Sequence, residues 1–465
     1  MRVTVAEVSA AALTSDGRTQ FASRPLQGGL TRPVAAVITE LRRALDEPVA
    51  VVVFDVTGVL RTDADARVVS VLIEPRRPLQ PRRHLWLEES LQVRAAHVRG
   101  GHNALGQELF SLDEDALLRL AEDVGDGAHI VVSAAGAPGN GDHERRAAEV
   151  LRGALAPASI TESRSFYGDS LLVREYTAVL NALLGASAER IASDLADAVT
   201  TSAGEKARAL VATNEGGSTP LTRLPITPVH AFRAEIASEM LGAALLGGRS
   251  DGRVIVAHAG TVRIAEFISG LPAVVSRTSL PDGTSLASSF AHVVPLTQLL
   301  LSGSGEPPVT VLVRGAEDAL VPFGLTPAVT TDHDLVALGA AVAPMSYWHN
   351  RVVRVTSAAD VAQALADGEG TARANLVAAG ADPGHVHIPE SRVLATTYGE
   401  AQMVRIRVRG VAETAPRPCR RAPIGARHDT SPAQRRRHRA PVHGSDVRRP
   451  HDRTRQLPAV SRHGR

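Results

Sequence analysis

Read for the alternation of apolar and polar positions, the chain predicts a regular succession of strands and helices. A strand is expected at 2–8, then an amphipathic helix in which Val34, Val37, Ile38, Leu41 and Leu45 share one face, with Thr31 and Pro33 marking its start. VAVVVF at 49–54 reads as a buried strand, and RVVSVLI at 67–73 as another, ahead of the proline-rich surface stretch PRRPLQPRRH. Ser111 and Glu114 have the spacing of a capping box opening a helix over 114–124, and HIVVSA at 129–134 is the next strand. Helices are expected over 142–155 and 171–199. The second half continues with a strand at 207–212, a helix near 231–246, and the strand RVIVAH at 253–258 followed by a Gly–Thr turn. MVRIRVR at 403–409 alternates apolar and basic residues, the pattern of a half-buried edge strand. Alternation through both halves argues for an α/β architecture of two lobes.

The chain has 465 residues, 44% of them hydrophobic, enough for a sizeable core divided among two or three domains. It holds no apolar run of membrane-spanning length, and its start, MRVTVAEVSAAAL, lacks the basic and long apolar segments of a secretory signal, so a cytoplasmic protein is expected. The lone Cys419 excludes an internal disulfide framework and a cysteine-based metal cluster. A net charge of +2 conceals an asymmetry. Residues 411–465 carry fourteen Arg against four acids, which leaves 1–410 at about −8. An acidic body gives no electrostatic reason to expect nucleic acid or an anionic membrane as partner. The 411–465 segment has no Phe, Tyr or Trp and few large aliphatics, so it is expected to be a disordered basic tail or an out-of-frame translation of GC-rich codons. Lys206 is the only lysine, as such a genome would produce.

Other candidate chemistry is sparse. His385 and His387 have H-x-H spacing on an expected strand, which Asp332 or Glu390 would have to complete as a metal site; a plain surface strand is the simpler reading. GNGDHE at 139–144 offers a glycine turn before a helix, but with two acids nearby it reads as a helix start rather than a phosphate site. Ser111, Ser165 and the other serines lie in no G-x-S-x-G elbow. Trp86 and Trp348 are expected to be packing residues.

One region carries a family signature. In 207–248, Asn214-Glu215-Gly216, then Pro228-Val229, then Gly242-Ala243-Ala244 follow the order of an N-[DG]-G stretch, a Pro-Val turn and a G-A-A helix. Arg174, Glu175, Leu180, Asn181 and Ala182 fit an R-E-x-x-x-x-L-N-A stretch, and His143-Glu144 an H-E pair. HVRGGHNALGQELFSLDED at 97–115, LVALGAAVA at 335–343 and GADPGHVHIPE at 380–390 fall in the matching order. On these residues the chain resembles the hydantoinase/oxoprolinase family, most closely a shorter hydantoinase A-type subunit, over nearly all of 1–410.

The resemblance implies a two-lobed actin-like ATPase (ribonuclease H-like) fold and ATP-dependent hydrolysis of cyclic amides of the hydantoin or 5-oxoproline type. It implies ATP and Mg as cofactors, and a hydantoinase B-type subunit or a second copy of the chain as partner. Two hairpins of the type D-x-G-G-T-x-T-D would grip the phosphates and the metal, with glycine amides, threonine hydroxyls and aspartates. Here the first reads VTVAEVSAAALTSDG, with Ala6 near the place of the first aspartate and Glu7 beside it. The second reads VAHAGTVRIAEF (256–267), which keeps Gly260 and Thr261 and loses both aspartates, with His258 or Glu266 as the polar groups at hand. An expected S-G-P loop is RAEIAS (233–238), an early G-T-T survives only as Thr57 and Gly58, and Val336 stands near a missing asparagine.

The remnants expected at a nucleotide site are therefore Gly260, Thr261, Asn214, Gly216 and Gly242, with no metal ligand and no catalytic residue assigned. The division expected is 1–185 as an N-terminal-like region, 186–410 as the hydantoinase A-like region, and the tail. The sequence thus predicts a hydantoinase/oxoprolinase-like protein impaired toward ATP, or else a non-catalytic scaffold that binds a partner.

Overall fold

The structure is a computed structural model that describes residues 1–14, 16–77, 93–166, 168, 170–280, 283–298, 306–395 and 403–414. The tail from 415 onward, Trp86 and most of PRRPLQPRRH lie outside these.

The chain opens with β1 (Arg2–Thr4), β2 (Glu7–Leu13) and β3 (Thr19–Pro25), then α1 (Thr31–Leu45) and β4 (Val51–Gly58). An inserted unit follows: β5 (Val68–Glu74), β6 (Val93–Arg99), α2 (Glu114–Val124), β7 (His129–Ala134), α3 (Asp142–Ala154) and β8 (Ser159–Glu162). The long α4 (Leu171–Ala203) leads back to β9 (Arg208–Ala212) and β10 (Ser218–Pro220). After α5 (Ala234–Leu246) come β11 (Gly252–His258), β12 (Thr261–Ile268) and β13 (Leu271–Pro272), and, past short strand pieces, β14 (Val309–Val313) and β15 (Val329–Thr331). The described chain closes with α6 (Leu335–Val342), β16 (Met345–Arg354), α7 (Ala358–Ala378), β17 (Val386–Ala395) and β18 (Met403–Ala412).

The strand order repeats. Within a nine-stranded sheet the run β3-β2-β1-β4-β9 has its first three strands antiparallel and the last two parallel to β1. A second sheet, β13-β12-β11-β14-β15, has the same order and the same polarities. The inserted unit is a separate parallel sheet, β6-β5-β7-β8, with α4 on one side and α2 and α3 on the other. Both faces of β5 are covered, which is why its residues are apolar on both sides except for Ser70, whose hydroxyl donates to Glu175 of α4, and the terminal Glu74.

Helix α1 buries Val34, Val37, Ile38 and Leu41, and α4 buries Leu183, Leu195 and Ala198, in one core with Val8, Phe54 and Val56 of the first repeat. Between the two repeats lie α5 and α6, whose Met240, Leu241, Ala337 and Leu338 share one core with Val53 of β4 and Val254 and Val256 of β11. These helices cross backbone to backbone. A Cβ on Gly242 would sit 2.1 Å from the Leu335 carbonyl oxygen, and one on Gly339 1.7 Å from that of Ser238.

Most expected elements are present, α1 with all five of its predicted apolar residues buried. Four expectations need correction. The strand at 2–8 is two strands, because the Thr4 hydroxyl accepts hydrogen bonds from the Ala6 and Glu7 amides and folds the chain into a hairpin. Helix α2 is capped by Asp113, whose carboxylate accepts from the Ala116 amide, and not by Ser111. MVRIRVR is an interior strand with β16 on one side and β17 on the other. Its Arg407 and Arg409 are buried because Glu390 and Glu215 neutralise them and the Trp348 ring lies beneath both guanidinium groups, at 4.4 and 5.3 Å. That strand also continues past Gly410 through Val411 and Ala412, both buried, so the ordered body reaches beyond 410.

Gly339→Ala tests the helix crossing. Alanine should gain about 1 kcal/mol in helix propensity, yet here it drives a methyl into a carbonyl that cannot rotate away. Overpacking of this kind costs about 1–3 kcal/mol or more, so a net loss in denaturant unfolding is expected. Unchanged or increased stability would mean that the helices stand further apart.

Candidate functional site

The polar side chains converge where the first strands of the two repeats meet the α5–α6 pair. β4 ends with Asp55, Thr57 and Gly58 beside β1, and a Cβ on Gly58 would lie 2.7 Å from the Val3 carbonyl oxygen. Asp55 is buried. Its carboxylate accepts from the Ser238 hydroxyl of α5 at 2.9 Å and from the Thr57 amide at 3.1 Å. The Thr57 hydroxyl accepts from the Glu235 amide at 3.3 Å, so the end of β4 is tied to the first turn of α5. That helix begins abruptly at Arg233, which takes the left-handed conformation at φ 60°.

Two further carboxylates anchor the strands. Glu239, one turn beyond Glu235, accepts from His258 Nδ1 at 2.5 Å and from Arg263 at 2.9 Å, the two donors coming from either side of the β11–β12 turn. Asp334 caps α6 by accepting from the Val336 and Ala337 amides, and also accepts from the Ser9 hydroxyl at 2.5 Å and from Arg2 at 3.3 Å. One carboxylate thus holds the first hairpin of the second repeat, and the other holds that of the first.

These contacts set the electrostatics. Hydrogen bonding to Glu239 raises the His258 pKa above its usual value, against the opposing effects of burial and of the Arg2 and Arg263 charges. Burial pushes the Asp55 carboxyl up. Burial, with the Asp55 charge added, does the same to Glu235, one of whose oxygens is buried without a hydrogen-bond partner. Burial would also raise Asp334, but the Ser9 hydroxyl, the Arg2 charge and the Ala337 amide outweigh it and hold that carboxyl low.

Of the residues expected from sequence, Gly260 and Thr261 form the β11–β12 turn beside His258, with Ala259 and Gly260 both at positive φ, and the Thr261 hydroxyl donates to the His258 carbonyl. Asn214 and Gly216 sit elsewhere, in the β9–β10 turn. Gly216 has φ 87° and leaves no room for a side chain against Pro272, while the buried Asn214 amide donates to the Val229 carbonyl. Gly242 lies in the helix crossing, where its missing side chain admits the backbone of α6. Glu266 is exposed on β12. His385 lies against Asp382, Asp332 pairs with Arg314, and Glu390 with Arg407, so the H-x-H pair and its suggested completing acids are not gathered. Sequence reasoning missed Arg2, Ser9, Asp55, Glu239, Arg263 and Asp334. The one available signal was Glu235 and Glu239 at helical i,i+4 spacing in an otherwise apolar stretch.

A second buried polar group lies at the carboxyl ends of the inserted parallel strands. Glu144 accepts from the Ala134 amide, the Ser163 hydroxyl and the Arg164 amide, and Arg174 donates to the Ala134 and Gly168 carbonyls. His143 Nδ1 accepts from the Gly101 amide, so its Nε2 carries the proton and faces Glu108 at 3.1 Å. Its ring packs on that of His102 at 4.2 Å.

A Mg-ATP site of the expected kind needs free carboxylates for the metal and open glycine amides for the phosphates. Among the described residues at this junction, Asp55, Glu239 and Asp334 each accept from donors of the chain itself and the β1–β2 turn contains no glycine, while Glu235 keeps one oxygen without a hydrogen-bond partner and the β11–β12 turn keeps Gly260.

No family model matches the sequence, and no curated protein matches it. Solved structures do. The chain superposes on the ATP-dependent caprolactamase from Pseudomonas jessenii with a TM-score of 0.63 at 13% identity, over 89% of this chain and 87% of that one. It superposes on a nucleotide-free acetone carboxylase, from work on ATP-dependent acetone carboxylation, with a TM-score of 0.61 at 12% identity, over 90% and 88%. At these identities the likeness is one of fold, and it extends through nearly the whole chain.

Proposed function

We propose that this chain is a divergent relative of the ATP-dependent openers of cyclic amides that has kept their fold and lost their grip on Mg-ATP. Support for the fold comes from the twice-used strand order with a helix pair between the repeats, which we read as the two lobes of an actin-like, ribonuclease H-like ATPase. Support for the chemistry comes from the likeness to an ATP-dependent caprolactamase, an enzyme named for a cyclic amide.

The loss rests on one observation. Glu239 and Asp334, the carboxylates beside the two first hairpins, each receive a basic side chain of the chain itself. Activating a stable amide carbonyl with ATP demands charge stabilisation by metal and backbone donors, and removing even one such donor costs on the order of 10²–10³ in rate. Calorimetry with Mg-ATP is therefore expected to show no binding, and lactams no turnover. Saturable Mg-ATP binding accompanied by hydrolysis of a hydantoin or 5-oxoproline would overturn the proposal.

The His258–Glu239 contact makes a separate prediction. A histidine whose folded pKa is raised adds stability that is fully present below its unfolded pKa, about 6.5, and is lost as pH climbs through the folded value. The gap in thermal stability between the wild type and His258→Gln should be widest in mild acid and close toward alkaline pH. A gap independent of pH would mean that no ion pair forms there.

A further inference from the structure

We propose that the junction of the two repeats binds a compact oxyanion directly through Arg2, His258 and Arg263, without a divalent metal. The three side chains come from β1, β11 and β12, and each is pinned on one side only. Arg2 donates through one terminal nitrogen to Asp334, Arg263 through one to Glu239, and His258 through Nδ1 to the same Glu239. The anchoring carboxylates are sequestered, at 19% and 5% exposure, whereas Arg2, Arg263 and His258 remain 34%, 36% and 39% exposed. Their free donors, the second guanidinium nitrogens and imidazole Nε2, are thus the groups left to face a ligand.

Charge points the same way. With His258 protonated, three cations stand against two carboxylates, and His258 feels the repulsion of both arginines. An anion would relieve that repulsion. A metal ion would add to it and would find both carboxylates already engaged. Of the neighbouring acids, Asp55 and Glu235 both have their pKa raised by burial. Room is present as well, because nothing lies within 4 Å of where a side chain on Gly260 would stand. The inference deepens the reading above, because an oxyanion would occupy the junction at which the relatives would hold a nucleotide, but it fails separately from that reading.

The test uses the full chain in EDTA at mildly acidic pH, with inorganic phosphate as probe and acetate in a parallel arm, followed by melting temperature and calorimetry. Saturable stabilisation by either anion in EDTA is expected, and the arm that responds tells a tetrahedral oxyanion from a planar one. Affinity should fall about tenfold or more in Arg263→Gln and in Arg2→Gln, the loss expected for one charge-assisted hydrogen bond. It should be unchanged in Arg146→Gln, which alters an exposed arginine on the inserted unit. The two variants come from different repeats, so misfolding of one, visible in its own melting curve, leaves the other to decide. Absence of stabilisation by both anions, stabilisation that persists equally in both junction variants, or stabilisation that requires magnesium would each overturn the inference. Mg-ATP binding at the junction would instead overturn the reading of function.

Discussion

The organisation of this protein depends on the close crossing of two helices between two sheets. Helices α5 and α6 meet at Gly242 and Gly339, where each backbone lies against the other's carbonyls and no side chain fits between. Such an approach fixes distance and rotation together, because interiors are close-packed and glycine contacts leave little play. Glu235, Ser238 and Glu239 project from α5, and Asp334 caps α6, so the crossing sets where four polar groups stand relative to both repeats. The arrangement of charge at the junction follows from that packing.

From this geometry comes a division of labour among the carboxylates. Asp55 and Ser238 join β4 to α5 in a buried contact, Asp334 ties the first hairpin to α6, and Glu239 ties the second hairpin to α5. Each carboxylate is an anchor for another part of the fold. Removing one partner of such a buried arrangement leaves an uncompensated group and costs several kcal/mol, which is reason enough for these residues to persist without any ligand. The cations are different. They are half-exposed, and only part of their hydrogen-bonding capacity is used by the protein.

The fold was legible in the sequence to the extent that local periodicity determines it. Helix α1, the strand at 129–134 and the long α4 are encoded by their own apolar spacing, and their limits fall within a few residues of expectation. Where long-range pairing decides, the sequence misled. MVRIRVR alternates like a half-exposed edge, and only the partners Glu215, Glu390 and Trp348, of which Glu215 lies 194 residues from Arg409 in sequence, allow its arginines to be interior. The site was less legible still. The Gly260–Thr261 turn could be named from the sequence because a turn is a local feature, but Arg2, Glu239, Arg263 and Asp334 become a group only when the two repeats are brought together.

Read along the chain, the absence of acids at the places where the family resemblance would put phosphate hairpins looks like decay. In three dimensions His258, at the end of the strand that leads into the second loop, is held at 2.5 Å by a buried glutamate that also binds an arginine from the next strand. Random loss would leave buried polar groups without partners, and unpaired groups of that kind are costly enough to be rare in folded proteins. At the junction the carboxylates Asp55, Glu239 and Asp334 are instead provided with donors on both oxygens, the condition of a satisfied charge network. Glu235, with one buried oxygen unpartnered, is the exception, and burial, with the Asp55 charge added, raises the pKa of its carboxyl. With Asp55, Glu239 and Asp334 engaged by donors of the chain and Arg2, Arg263 and His258 each engaged on one side only, the unused hydrogen-bonding capacity of this group lies mainly with its cations, which is the asymmetry the proposed anion binding rests on.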